Sequence, residues 1–413
     1  QSGLTAGQTF FVDKNGDLVL TTDATASVGT ESVFESGSSS VTKVAFDSNS
    51  NRILAVYSDE GDSDKGKAVV GTVASDGTIS YGTPAIFNDA GTKEYFGIDV
   101  VFDSNVNKFV IFYGDGGGSG GPGRARVATV DSSDNSVTFG TEATFESGNV
   151  GYISATFDSS ANKIIIAYMD SSNSNYGTAI VGTVSGTDIT FGSASAFETA
   201  STAHVSATYD STNNKTLISF RDVDDSSKGK SRVATVSGTS LSFGTVQTFS
   251  SVGITNYINS VFDPDNGKVI ITYEENAVSD SKGRAKVATI SGTDVSFGSV
   301  ATFNNDDTYD TAPTYDTLNN KVIIIFRDNG NSNYTTAVEG TVSGTSISFG
   351  SETVIYSAYG AYADATFDSN VNKAVAVYSG QGDSGRGASA TFTAAQDLSG
   401  SLSHDAVTAG TAL

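Results

Sequence analysis

The sequence contains no cysteine and no tryptophan, and only 4 of its 413 residues are proline. Without cysteine the chain forms neither disulfide bonds nor a catalytic thiolate, and its redox compartment stays undetermined. No segment is apolar over the length that a membrane-spanning helix requires, so we do not expect membrane insertion. Apolar residues do not recur at a helical period either, which predicts an essentially all-β protein.

Basic side chains are also scarce, because 23 Lys and Arg stand against 46 Asp and Glu, for a formal net charge of −23. A nucleic-acid backbone binds to a basic patch that releases counterions, so nucleic acid is not an expected partner. High negative charge favours solubility and is compatible with a saline environment. The chain starts at Gln1 without an initiator Met or a signal-peptide pattern, so we expect a processed chain or a piece of a longer protein.

What the sequence does contain is a repeat of 52 to 56 residues, found seven times. Each copy has an aromatic-Asp pair, then a short polar turn, then an apolar run that ends in an aromatic residue. Asp at the start of a four-residue turn caps its own backbone, so we assign these aspartates to the scaffold. The seven pairs are Phe46-Asp47, Phe102-Asp103, Phe157-Asp158, Tyr209-Asp210, Phe262-Asp263, Tyr315-Asp316 and Phe367-Asp368.

The clearest copy, Tyr152 to Glu198, predicts a four-stranded antiparallel meander whose second strand, KIIIAY, is apolar on both faces. Such a unit needs a neighbour on each side, and radial repetition supplies one. The predicted fold is a seven-bladed β-propeller with blades at 38–87, 94–145, 151–197, 203–249, 256–303, 308–356 and 361–394. The seventh copy lacks a fourth strand, and residues 26–35, which resemble that strand in other copies, are expected to close the ring.

The two ends of the chain lie outside the repeat and form a predicted small β module, residues 1–25 and 396–413, beside a propeller at 26–395. The phrases GLTAGQTFFVDKNGDLVLTT at Gly3 to Thr22 and AVTAGTAL at Ala406 to Leu413 carry a resemblance. Together they resemble a module found near the ends of tailed-phage tail-fibre and virion structural proteins, split here by the propeller. The family module usually continues past AGTAL, whereas this chain stops at Leu413. The resemblance implies a virion or extracellular location and other virion subunits as partners, with self-association through the terminal module left open.

Function is expected on the face that carries the loops between the second and third strands, because these loops vary while the opposite turns are uniform. Five residues before each aromatic of the aromatic-Asp pairs, one position opens the innermost strand on this variable face. We predict that aromatic residues there bind a ligand by stacking, as sugars bind, although packing between blades is an alternative role. That position is Val41, Gly97, Tyr152, His204, Tyr257, Asp310 and Tyr362, with Phe96 and Tyr309 one residue earlier.

Two residues further along the same strand, Asp99 and Asp364 are predicted to line the channel and contribute to ligand binding. They are also the carboxylate pair that glycoside hydrolysis would need, but solvated channel residues are the simpler interpretation. Asp59, Asp62 and Asp64, and likewise a second aspartate group at 222–225, resemble partial Ca²⁺ loops without the full ligand spacing. We therefore predict no metal, no cofactor and no catalytic residue.

The leading functional prediction is a non-enzymatic virion protein, similar to tail-fibre or tail-tip proteins, whose propeller attaches to a host-surface glycan or protein. One alternative is a secreted or cell-surface bacterial propeller acting as a lectin or adhesin. The other is a polysaccharide-cleaving enzyme that uses Asp99 and Asp364.

Overall fold

The computed structural model describes residues 10–12, 18–20, 25–92, 97–116, 121–277 and 280–395. Within these ranges the regular elements are β-strands and two single 3-10 turns, Glu60–Asp62 and Gln381–Asp383. They include no α-helix, and hence no helix of the length and apolarity needed to cross a membrane. The prediction of an all-β protein is confirmed.

Seven antiparallel units follow one another, and we number them as blades 1 to 7. The second strands of blades 1 to 7 are β5 (Arg52–Asp59), β10 (Lys108–Gly114), β14 (Lys163–Asp170), β18 (Lys215–Asp222), β23 (Lys268–Ala277), β28 (Lys321–Asp328) and β32 (Lys373–Gly380). Their third strands are β6 (Lys65–Val73), β11 (Pro122–Asp131), β15 (Tyr176–Ser185), β19 (Lys228–Ser237), β24 (Asp280–Ser291), β29 (Tyr334–Ser343) and β33 (Arg386–Thr393).

The innermost strands are carried by β4 (Ser32–Asp47), β9 (Ile98–Asp103), β13 (Ala143–Asp158), β17 (Ser195–Asp210), β22 (Ile254–Asp263), β27 (Thr308–Asp316) and β31 (Thr353–Asp368). Each contacts the innermost strands of the two adjacent blades, and β31 contacts β4, so the ring is closed. Each of the four strands of 16 residues belongs to two blades. Its first half forms the outer edge of the preceding blade, and its second half is the innermost strand of the next blade. The number of blades agrees with the seven repeats in the sequence.

The outer edge of each blade is broken into two segments, whereas the sequence predicts one continuous strand. Its first segments are β7 (Ile79–Tyr81), β12 (Ser136–Phe139), β16 (Asp188–Phe191), β20 (Ser240–Phe243), β25 (Asp294–Phe297), β30 (Ser346–Phe349) and, in blade 7, β3 (Ser27–Val28). The separate second segments are β8 (Ala85–Asn88), β21 (Gln247–Ser250) and β26 (Ala301–Asn304). The remaining strands, β1 (Phe10–Val12) and β2 (Leu18–Leu20), pair with each other.

In blades 1 to 6 the first outer segment ends in an aromatic residue followed by glycine, which we call an aromatic-Gly pair, and the break follows this glycine. In blades 1 to 5 the next blade comes close to the glycine. A Cβ atom on Gly192 would lie 2.0 Å from the carbonyl oxygen of Thr239, in the turn between the third and outer strands of blade 4. The same close approach occurs at Gly82, Gly140, Gly244 and Gly298. Glycine at this position therefore makes room, in blades 1 to 5, for the turn of the next blade.

The core lies between the blades, because the second strands are buried on both faces. Ile164, Ile166 and Tyr168 of β14 pack against blade 2, whereas Ala167 packs against blade 4. All four are fully buried, and burial of one large aliphatic side chain contributes about 1.5–3 kcal/mol. This two-sided burial explains why the strand sequence shows no alternation.

The N-terminal strand closes the ring as expected. Ser27 pairs with Thr393 and Val28 with Phe392, and the chain then continues along β33 through the pairs formed by the first half of β4. The predicted domain boundaries stay a prediction, because residues 396–413 lie outside the described residues. The turn aspartates behave as predicted: the Oδ1 atom of Asp210 accepts the backbone N–H groups of Thr212 and Asn213, at 2.9 and 3.0 Å.

Candidate functional site on the variable face

Each innermost strand contains a bulge where it opens on the variable face. In all seven blades one residue has a φ between 46 and 77°, and six of the strand pairings shift register at this point. These residues are Val41, Gly97, Tyr152, His204, Tyr257, Asp310 and Tyr362, the position singled out in the sequence. A left-handed backbone costs a non-glycine residue about 1–3 kcal/mol, so the ring must impose it.

Four of the predicted aromatic side chains form a continuous row across blades 3 to 6, which we call the aromatic arc: Tyr152, His204, Tyr257 and Tyr309. Successive ring centroids are 5.0, 5.4 and 5.3 Å apart, and the last pair is edge to face. The Nδ1 atom of His204 accepts the backbone N–H of Tyr257 at 3.2 Å. Adjacent blades thus place the rings within stacking distance, as predicted from their shared position.

The other predicted aromatics have different surroundings. Tyr362 belongs to blade 7, and its backbone N–H donates to the Oδ2 atom of Asp310 at 2.9 Å. Phe96 lies outside the described residues. Tyr359, which the sequence analysis did not select, is exposed, and its hydroxyl accepts a hydrogen bond from Arg327 at 2.9 Å.

Beside the arc lies a charged row that sequence reasoning missed: Arg221, Glu274 and Arg327. These residues occupy one position of the second strand in blades 4, 5 and 6, each following the buried aromatic that ends the apolar run. The same position in the other blades is Ser58, Gly114, Met169 and Ser379. Aligning the residue after each buried aromatic would have revealed the three charges.

Arg327 is held between an aromatic ring and a carboxylate. Its guanidinium lies 4.3 Å from the ring centroid of Tyr309 and 5.5 Å from that of Tyr359. Its Nε atom lies 3.6 Å from the Oδ2 atom of Asp310, the bulge residue of the same blade. Stacking and ion pairing therefore fix this guanidinium at the end of the arc.

Arg221 and Glu274 are connected through Asn256. Arg221 donates to the Oδ1 atom of Asn256, and the amide of Asn256 donates to the Oε2 atom of Glu274 at 2.8 Å. Glu274 is almost fully buried, and this burial raises its pKa. Burial also lowers the pKa of Arg221.

His204 sits over this network and stays neutral. Burial, together with the charge of Arg221, lowers the pKa of His204 to about 3. A neutral imidazole with Nδ1 accepting a backbone N–H carries its proton on Nε2, and so presents a hydrogen-bond donor. The arc thus combines apolar ring faces with polar atoms of both kinds.

Asp99 and Asp364 both line the central channel, as the sequence predicts, with Lys43 from blade 1. The Nζ atom of Lys43 lies 3.3 Å from the Oδ1 atom of Asp364. Each carboxylate also accepts a backbone N–H from the next blade, Asp99 from Ala155 at 2.6 Å and Asp364 from Val44 at 2.9 Å. Burial raises the pKa of Asp99 to about 6. These contacts join blades, and a ligand role for either carboxylate stays a prediction.

The channel cavity lined by these residues measures about 200 Å³. Ligand pockets usually enclose about 300–1,000 Å³, so the cavity favours small solutes over a sugar ring. The variable face is therefore the better candidate site.

The partial Ca²⁺ loops are occupied by lysines. Lys67 pairs with Asp62 at 3.2 Å and with Asp59, and Lys230 pairs with Asp222 and Asp225 at 2.6 and 2.8 Å. Across the described ranges, no group of three or more His, Cys, Asp or Glu side chains is arranged to hold a metal ion. An ammonium group already satisfies these carboxylates.

Comparisons with known proteins give structural likeness only. No family model matches the sequence, and no curated protein matches it. Among solved structures, NanB sialidase from Streptococcus pneumoniae is 10% identical with a TM-score of 0.49, over 89% of this chain and 70% of that one. A lysine-to-glycine mutant of the same sialidase is 11% identical with a TM-score of 0.49, over 88% and 70%.

The third structure is a triple arginine-to-alanine mutant of AofleA from Arthrobotrys oligospora. It is 10% identical with a TM-score of 0.49, over 80% of this chain and 92% of that one. The sequence analysis predicted a protein without enzymatic activity, and the two sialidases contradict that prediction. We therefore count it as wrong and do not retain it.

Proposed function

We propose that the protein binds a glycan on the variable face, along the aromatic arc and the charged row. The observation that supports this proposal is a difference between the blades at one position of the second strand. Seven blades share one scaffold, yet blades 4 to 6 alone place charged residues at the second-strand position beside the arc. Scaffold needs are the same in every blade, so a feature confined to one sector calls for a ligand.

The chemistry of this sector suits a sugar. The apolar faces of sugar rings pack on aromatic side chains, while hydroxyl groups bond to polar atoms around them. The rings of Tyr309 and Tyr359 lie 4.3 and 5.5 Å from the Arg327 guanidinium. The bulges hold the side chains of the arc in place on a rigid scaffold, which reduces the entropy lost on binding.

The proposal extends to attachment at a host surface. Its support is the pair of terminal phrases that resemble the tail-fibre module, with the ring between them. The test is competition: labelled protein should bind bacterial cells and reduce adsorption of a phage that carries the same protein. Unchanged adsorption at saturating protein would argue against a virion role while leaving glycan binding open.

The test of glycan binding is an array screen of the purified protein, with product analysis of every bound glycan to detect cleavage. The double variant Tyr359→Ala, Arg327→Met should reduce binding of any array hit at least about tenfold, a loss of about 1.4 kcal/mol. Tyr359 is exposed, so its truncation should leave the fold intact.

The matched control is Arg386→Met in blade 7. Arg386 is also a half-buried arginine, paired with Glu31 and Asp383, but it lies outside the charged row. It should retain binding. Equal losses in the control and the double variant, or an array without any hit, would overturn the proposal.

A further inference from the structure

The part of the variable face where we propose binding, formed by the arc and the charged row in blades 4 to 6, carries balanced charge despite its two arginines. We call it the binding sector. Arg221 and Arg327 are accompanied by the carboxylates Glu274, Asp310 and Asp307. Burial raises the pKa of Tyr309, and the negative charges of Asp307 and Glu274 add to this shift. Because the sector holds at least as many carboxylates as guanidinium groups, it offers no net attraction to an anion.

Both guanidinium groups are already used by the protein. Arg327 pairs with Asp310 and donates to the hydroxyl of Tyr359. Arg221 is coupled to Glu274 through Asn256. A carboxylate or sulfate on a ligand would have to displace these partners and approach three carboxylates.

The buried polar atoms that lack a hydrogen-bond partner match a different ligand group from a carboxylate or sulfate. Among the residues of known placement, the Oε1 atom of Glu274 is buried and meets no donor at hydrogen-bonding geometry, although Asn276 is near enough to favour the charged carboxylate. The Nε atom of Arg221 is buried and meets no acceptor at that geometry, whereas the Nε atom of Arg327 is paired with Asp310 at 3.6 Å. One acceptor and one donor, joined through Asn256, match a hydroxyl group, which donates and accepts at once.

Exposed apolar side chains lie on the same face. Val223 and Val252, in loops, and Ile254, the first residue of β22, are all exposed. Such side chains contact C–H groups and do not favour a charged substituent.

We infer that the sugar residue bound in this sector is uncharged, a neutral hexose that bridges Glu274 and Arg221 through its hydroxyl groups. The inference rests on the proposed glycan-binding function and names its ligand class. It implies that binding depends little on salt, because no net charge is neutralised.

The experiment compares ligands that differ only at one carbon. Immobilised glucose- and galactose-terminated oligosaccharides are measured beside the corresponding uronic acid forms, at about 0.05 and 0.5 M NaCl. The neutral member of at least one pair should bind at least about tenfold more tightly than its uronate. Its affinity should change less than about twofold between the two salt concentrations.

Glu274→Gln provides the second arm. This variant removes a negative charge and a charge-assisted acceptor, so neutral binding should weaken several-fold while the uronate gains. Wild-type preference for uronates would overturn the inference and keep the proposed function, whereas absence of any carbohydrate binding would overturn both. Unchanged affinities in a folded Glu274→Gln variant would remove Glu274 from the site and so overturn the assignment.

Discussion

The aromatic-Gly pairs offer a test of how the blades interlock, since one ring contains both a crowded and an open version of the same position. Gly192 in blade 3 and Gly350 in blade 6 each follow the phenylalanine that ends the first outer segment, and neither has a positive φ. A Cβ on Gly192 would lie 2.0 Å from the Thr239 carbonyl oxygen. Among the described residues, the nearest atom to a Cβ on Gly350 would be the carbonyl oxygen of Glu339, at 3.9 Å.

The reason for the difference is the position of the chain ends. Blade 7 has no turn between its third and outer strands, because Thr393 ends the third strand and Ser27 begins the outer one. Gly192→Ala must therefore move backbone of the next blade, at a cost of about 1–3 kcal/mol. Gly350→Ala meets no close contact with the residues that the structure describes, and it should gain about 0.4–1 kcal/mol from the reduced freedom of the unfolded chain.

The assay is urea unfolding of both variants and the wild type, followed by tyrosine fluorescence. The midpoint should fall for Gly192→Ala and stay or rise for Gly350→Ala, with a difference between the variants of about 1.5–4 kcal/mol. Equal midpoints for the two variants would refute the interlocking role of the glycine.

Two further predictions concern buried charge. The folded pKa of Asp99, about 6, is above its ordinary 3.8, so its stability contribution is present below 3.8 and lost as pH rises through 6. Lys43→Met removes a charge that lowers this pKa, and should cost about 1–3 kcal/mol of unfolding free energy near pH 7.5, with a smaller loss near pH 4; a pH-independent loss would contradict this. His204 has a folded pKa of about 3 against 6.5, so wild-type stability should fall between pH 6.5 and 3 relative to His204→Asn, whose side chain tolerates the left-handed backbone. Parallel urea midpoints of these two proteins across that range would show that His204 does not titrate as expected.

The sequence predicts the ring well because each repeat carries several signals for the same unit. The run from Lys163 to Tyr168 shows two-sided burial, and Asp158 shows the turn before it. The fourth strand was predicted as continuous because nothing local shows that the Gly192 position must admit a turn from the next blade. That contact joins residues about fifty positions apart, and only assembly of the ring creates it.

The sequence predicted the aromatic positions of the site but not its charged row, for a related reason. Counting from the aromatic-Asp pairs located Tyr152, His204 and Tyr257, because the bulge lies at a fixed distance along the strand. The left-handed backbone there was not predicted, since tyrosine, which occupies this position in three blades, does not favour it and packing between blades imposes it. Arg221 and Arg327 were missed because each is the first polar residue after an apolar run and therefore reads as the start of a loop.

The pairing of Ser27 with Thr393 has a mechanical consequence. The chain enters and leaves the ring side by side, at the edge of a single blade, so the remaining blades lie outside any line of tension between the chain ends. A pull on both ends would first open the pairs Ser27 with Thr393 and Val28 with Phe392, one after the other, as a zipper opens. The same geometry allows a propeller of this kind to be inserted at one point of a β-hairpin in another protein. The two strands of that hairpin would stay paired, because the ends of the inserted chain lie side by side.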